Sequence, residues 1–172
     1  MKKLIACLLA IATLTCLVAC GPAKKDDKNN KENREVDGYF TYILQEDGTY
    51  SITATNPNDF PEEVTVPSSF NGIPVTALAD SAFSSCANLR KITIPDSITR
   101  LPYAAFYMCP DLEVINLPRT ITGIGKGALS MCEKEITIHF DGTVKEWEGI
   151  LKASNWDTET EYYVSCSDGF AD

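Results

Sequence analysis

Residues 82–95 read AFSSCANLRKITIP, and the stretch returns as AFYMCPDLEVINLP at 105–118 and, fading, as ALSMCEKEITIHFD at 128–141. The copies are 23 residues apart. Chemistry recurs position by position: Ala82, Ala105 and Ala128; Phe83, Phe106 and Leu129; Cys86, Cys109 and Cys132; Ile92, Ile115 and Ile138; Ile94, Leu117 and Phe140. Leu89 and Leu112 continue the pattern, and Glu135 interrupts it. A unit this short cannot enclose its own apolar face, so successive units must stack and share one continuous core. The repeat therefore predicts a β-rich solenoid.

The segments between copies repeat as well, with Ile98 and Leu101 matching Ile121 and Ile124. Upstream, VTVP at 64–67 with Val75 and Leu78 forms an earlier copy, lengthened by about five residues around FNGIP. About four coils are expected over 64–140. Strand alternation then divides each coil. With Ile92 and Ile94, Ile115 and Leu117, and Ile138 and Phe140 inward, Thr93, Asn116 and His139 point out as a polar row, with Lys91, Val114 and Thr137 beside it. Those six residues are the candidate binding face. The plainer alternative is that they are only solvent-tolerant strand residues.

The cysteines follow from the same register. A residue that returns once per coil between a returning Phe and a returning Leu belongs to an inward ladder, so Cys86, Cys109 and Cys132 are read as small buried hydrophobes. Thiolates strung along a solenoid axis do not converge on a tetrahedral zinc centre. Adjacent rungs bring Cα atoms within disulfide range, but parallel Cβ vectors at strand spacing lie slightly beyond the usual separation. A catalytic thiol needs exposure and a base, and the one histidine, His139, lies apart from any comparable inward cysteine.

Outward from the repeats, the chain opens with two lysines, an uncharged apolar run and small residues before a cysteine, the pattern of a secretory signal over 1–19. LVACG at 17–21 resembles the lipobox of bacterial lipoproteins. That resemblance implies cleavage before Cys20 and a diacylglycerol on its sulfur, whose two chains suffice for membrane anchoring. Loss of Lys2 and Lys3 would leave 13 basic and 24 acidic residues, a net charge of −11. Residues 20–37, with five charges of each sign, read as a flexible tether. Residues 38–63 read as a β-hairpin cap turning at Asp47–Gly48.

Residues 141–172 read as a C-terminal cap of helix and strand. Thr143 and Glu146 fit a capping box, and Val144, Trp147, Ile150 and Leu151 would share one face of the helix it starts. YYVSC at 162–166 then reads as a closing strand, with Cys166 either buried or paired. Trp147 and Trp156 are read as capping core; the alternative is a pair of sugar platforms.

The formal charge of −9 and the lack of a Lys/Arg cluster argue against a nucleic-acid partner. No GxSxG, HExxH or phosphate-cradling glycine loop occurs, so neither an enzyme nor a cofactor is expected, and no metal set is apparent. The unit AFxxCxxLxxIxIPxxIxxL resembles the BspA-like leucine-rich repeat of surface and secreted proteins. The resemblance implies a curved solenoid with short parallel strands on one face, no catalytic residues, and adhesion to a host or neighbouring-cell protein. The expected function is that of a lipid-anchored, surface-exposed binding module of the bacterial envelope. Its competitor is a structural, self-associating envelope protein without a foreign ligand.

Overall fold

The structure, a computed structural model, describes residues 33–171. The signal segment, Cys20 and most of the expected tether lie outside the described residues. Three strands open the fold: β1 (Arg34–Asp37), β2 (Phe40–Leu44) and β3 (Tyr50–Ala54). The expected hairpin is β2–β3, antiparallel with Leu44 opposite Tyr50, and its turn closes at Gly48 with φ +81°. β1 corrects the expected tether boundary at 37: it pairs antiparallel with β2 from Arg34↔Ile43 to Asp37↔Phe40. All four residues of β1 are exposed, so this edge is held by backbone bonds and by Glu35, which accepts from the Tyr50 hydroxyl, rather than by burial. A charge-rich strand of that kind leaves no hydrophobic period to read.

The first coil holds β4 (Glu63–Thr65), β5 (Ser69–Phe70) and β6 (Ile73–Leu78). The extra residues seen around FNGIP are a β5–β6 hairpin whose two turn residues, Asn71 and Gly72, take φ of +50° and +79°. Asn-Gly suits such a turn because both positions need the left-handed region. The insertion carries Phe70 onto Tyr42, stacked with ring centroids 4.0 Å apart. β6 also pairs with β3 in parallel, so the cap and the first coil are one sheet, ordered β1-β2-β3-β6-β5.

Later coils supply β7 (Lys91–Thr93) and β8 (Arg100–Leu101), β9 (Val114–Leu117) and β10 (Gly123–Ile124), and then β11 (Ile136–Phe140). After helix α1 (Val144–Glu148) come β12 (Leu151–Lys152), β13 (Tyr162–Cys166) and β14 (Gly169–Ala171). β4, β7, β9, β11 and β13 stack in parallel, and β14 folds back antiparallel on β13 to complete a six-stranded sheet. β8, β10 and β12 form a parallel sheet of their own. Between the two sheets lie the repeated apolar residues: Phe83, Leu89, Ile92, Ile98, Leu101, Phe106, Leu112, Ile115 and Leu129 are fully enclosed. Phe83 and Phe106 stack face to face at 5.6 Å, one rung above the other. Where Glu135 interrupts the pattern it stays exposed, and Ile136 fills the core beside it.

Three successive coils each bend through two left-handed residues. Ser81, Ala104 and Gly127 take φ of +58°, +52° and +66°, and Ser85, Met108 and Met131 take +59°, +57° and +64°. Side chains at such φ are strained, and the strain is offset by bonds between coils. Ser85, Met108 and Met131 donate their backbone N–H to Tyr107, Ser130 and Thr158 at 2.8, 3.1 and 2.9 Å.

The C-terminal region differs from a simple lid. The capping box forms, with Thr143 Oγ1 accepting from the Glu146 N–H and Glu146 accepting from the Thr143 N–H, and Trp147 is buried. The helix ends at Glu148, so Leu151 lies on strand β12 and is 78% exposed, not on the apolar helix face. Beyond it the chain resumes the repeat: β12 pairs with β10 and β13 with β11, so the closing strand is a further rung of the ladder.

Candidate binding face

The strand register fixes two outward rows. In the first, Thr65, Thr93, Asn116, His139 and Ser165 stand side by side on β4, β7, β9, β11 and β13, and Phe170 on β14 stands opposite Ser165. In the second, Glu63, Lys91, Val114, Thr137 and Tyr163 do the same. In-register residues of neighbouring strands share a face, so the inward neighbours Ile92, Ile115, Ile138 and Val164, all at 0% exposure, place both rows outside. Asn116 Nδ2 donates to Thr93 Oγ1 at 2.9 Å, which orients the amide along the row.

A groove of about 440 Å³ lies over the first row. Thr93, Asn116, His139 and Ser165 form one side, and Asp96, Asp141, Cys166 and Ser167 are among the residues that complete it. Thus three of the six sequence-derived residues meet in one depression. Lys91 lies outside it, in a smaller dip of about 200 Å³ with Glu63, Thr65 and Thr93, and its ammonium stands 3.9 Å from Glu63. Val114 and Thr137 line neither. Ser165 and Phe170 escaped the sequence pattern because His139 and Ser165 are 26 residues apart, off the 23-residue period, and β14 has no counterpart in any coil.

Beneath the face, Cys86, Cys109 and Cys132 are buried, and the four cysteines among the described residues, with half-buried Cys166, are free thiols. The inward thiols also bond. Cys109 Sγ donates to the Phe83 carbonyl at 3.0 Å, and Cys132 Sγ donates to the Phe106 carbonyl at 3.3 Å. Thr160 Oγ1 makes the next such bond, to the Leu129 carbonyl at 2.5 Å, and accepts from the Cys132 N–H at 3.1 Å. A hydroxyl thus replaces the thiol at the last rung. Burial pushes the Cys86 thiol up to about 12 and raises Cys109 and Cys132 as well, so none is poised as a nucleophile. Trp147 and Trp156 are 3% and 6% exposed, which removes them as sugar platforms: they form the core under the helix, where Lys152 Nζ sits 4.4 Å above the Trp147 ring. Among the described residues no cluster of three or more His, Cys, Asp or Glu is placed to hold a metal, and no helix is long and apolar enough to cross a membrane.

Short parallel strands stacked once per coil, a second set opposite them and a continuous apolar ladder between define a β-solenoid of the leucine-rich repeat class. Residues 60–150 match the BspA type Leucine rich repeat region, in six copies, and the chain belongs to that family. Among solved structures, it is similar to a leucine rich cell surface protein from Faecalibacterium prausnitzii, at 21% identity over 72% of this chain and 43% of that one, with a TM-score of 0.47. A leucine-rich repeat protein from Bacteroides ovatus is 23% identical over 62% of this chain and 37% of its own, with a TM-score of 0.40. The leucine rich repeat protein of T. pallidum is 16% identical over 72% of this chain and 83% of its own, also at 0.40. The chain therefore spans less than half the length of the first two. No match was found among curated proteins.

Proposed function

We propose that the protein is a lipid-anchored binding module of the bacterial cell surface, which engages a protein of a host or neighbouring cell through the outer face of its six-stranded sheet. The observation that carries this reading is the aligned row Thr93, Asn116 and His139 opening onto a single groove of about 440 Å³. Such a row offers directional hydrogen bonds from a rigid sheet, and rigidity limits the ordering cost of binding. Family membership and the LVACG motif support placement at the surface with Cys20 as the lipid-bearing residue. Cys20→Ala should abolish incorporation of labelled fatty acid and either release the protein or trap its uncleaved precursor; a variant still labelled and sedimenting with membrane rules out that anchor.

The face is tested by adhesion of intact cells to immobilised full-length protein. The double variant Asn116→Glu, His139→Glu should lower binding tenfold or more, about 1.4 kcal/mol. Loss of the Asn116–Thr93 bond should cost only about 1 kcal/mol of folding stability. Equal adhesion by parent and folded double variant would remove this face from consideration.

A further inference from the structure

Resting on that reading of the face, we infer that what the groove takes is a neutral saccharide chain carried by the partner surface protein, with Phe170 as the ring that a sugar stacks on. Phe170 is 78% exposed at the end of the sheet and lies in register with Ser165, so an unburied aromatic ring stands at the end of the polar row, next to the groove's Ser165 and outside the groove lining itself. Single exposed apolar residues are common, so what singles out Phe170 is its place in register with the polar row, on a strand where the adjacent Ala171 packs partly against the core. The π-face of the ring carries negative potential and attracts weakly positive C–H groups. A pyranose presents those C–H groups on its faces and hydroxyls at its edge.

The groove supplies the partners for that edge. Asn116, His139 and Ser165 offer hydrogen-bonding side chains, and the carboxylates of Asp96 and Asp141 accept from hydroxyls in charge-assisted bonds. Among the described residues lining it there is no Lys or Arg. On a molecule of net charge −9, such a groove disfavours sulfated or otherwise anionic chains and favours uncharged ones. The geometry is periodic as well. One hydrogen-bonding side chain per strand, at strand spacing of about 4.8 Å, is close to the advance of one sugar ring along an extended chain. A chain lying across the strands would meet a new polar group at each ring and end on Phe170.

Calorimetric titration of the full chain with neutral linear hexasaccharides of glucose, mannose, galactose and N-acetylglucosamine tests this, with a heparin hexasaccharide as the anionic control. At least one neutral chain should bind, heparin should not, and Phe170→Ala or Asp141→Asn should weaken binding tenfold or more without moving the unfolding midpoint. Absence of binding by every neutral chain, equal binding of heparin, or full affinity in Phe170→Ala overturns the inference. Cell adhesion separates this from the face itself. Adhesion abolished by stripping cell-surface glycans with glycosidases supports the saccharide. Adhesion that survives stripping yet falls in the Asn116/His139 double variant overturns the saccharide and keeps the face, and adhesion indifferent to both overturns the two together.

Discussion

Thr160 shows how a single residue can hold a place in the repeat while losing its signature. Cys109 and Cys132 each donate a thiol to a carbonyl of the preceding coil, and Thr160 makes the same bond with a hydroxyl while also accepting from the Cys132 N–H. Thr160→Val keeps the shape and deletes both bonds. It should lower stability by about 1–3 kcal/mol, read as a lower urea midpoint, whereas Thr160→Ser should stay near the parent; an unchanged midpoint in the valine variant would mean the bonds contribute nothing. The cysteine positions were legible in the sequence because recurrence at a constant interval between Phe and Leu fixes a residue inside. Thr160 was not, because it follows Cys132 by 28 residues, and the helix inserted between them breaks the count. Ser97 presents the converse case, a buried hydroxyl without a hydrogen-bond partner among the described residues.

At the scale of elements, what could be read depended on whether local chemistry or tertiary pairing makes the element. The β2–β3 hairpin and the capping box of α1 were legible because Asp47–Gly48 and Thr143/Glu146 carry their own conformational preference. β1, β12 and β14 were not, since they are short or charge-rich strands that exist only by pairing with a neighbour. The helix gives a pH prediction. The Thr143 backbone N–H, the Arg119 guanidinium and the Thr143 hydroxyl together lower the Glu146 carboxyl to about 2. A folded-state value depressed below the ordinary one of about 4.3 means that its contribution is present above that ordinary value and is lost as pH falls from there through about 2. Acidification across that window should therefore loosen α1 and shift the fluorescence of Trp147, the buried residue of that helix. Glu146→Gln should flatten the transition; an identical acid profile in this variant would show that other carboxylates control the helix.

Seen whole, the molecule is a one-dimensional stack in which each coil contacts its neighbours, so opening should begin at an end and travel inward. The thiols report this without added probes. Cys166 is half-buried near the C-terminal edge, Cys132 is 4% exposed beneath the last coil, and Cys109 is fully enclosed with a coil on either side. Iodoacetamide on the folded chain should modify Cys166 first, Cys132 later and Cys109 last, timed by mass spectrometry. Cys109 reacting as fast as Cys166 would mean that the stack opens all at once. The antiparallel return of β14 has a different kind of consequence. It occupies the outer edge of β13, while the β1–β3 sheet pairs with β6 of the first coil, so a further coil can be inserted between the two without disturbing either. Duplicating residues 95–117 would lengthen the stack by about 4.8 Å and add one thiol inside and one residue to each outward row. Reach and valency are therefore inherited together, in whole coils, by copying one short stretch of gene and leaving both ends untouched.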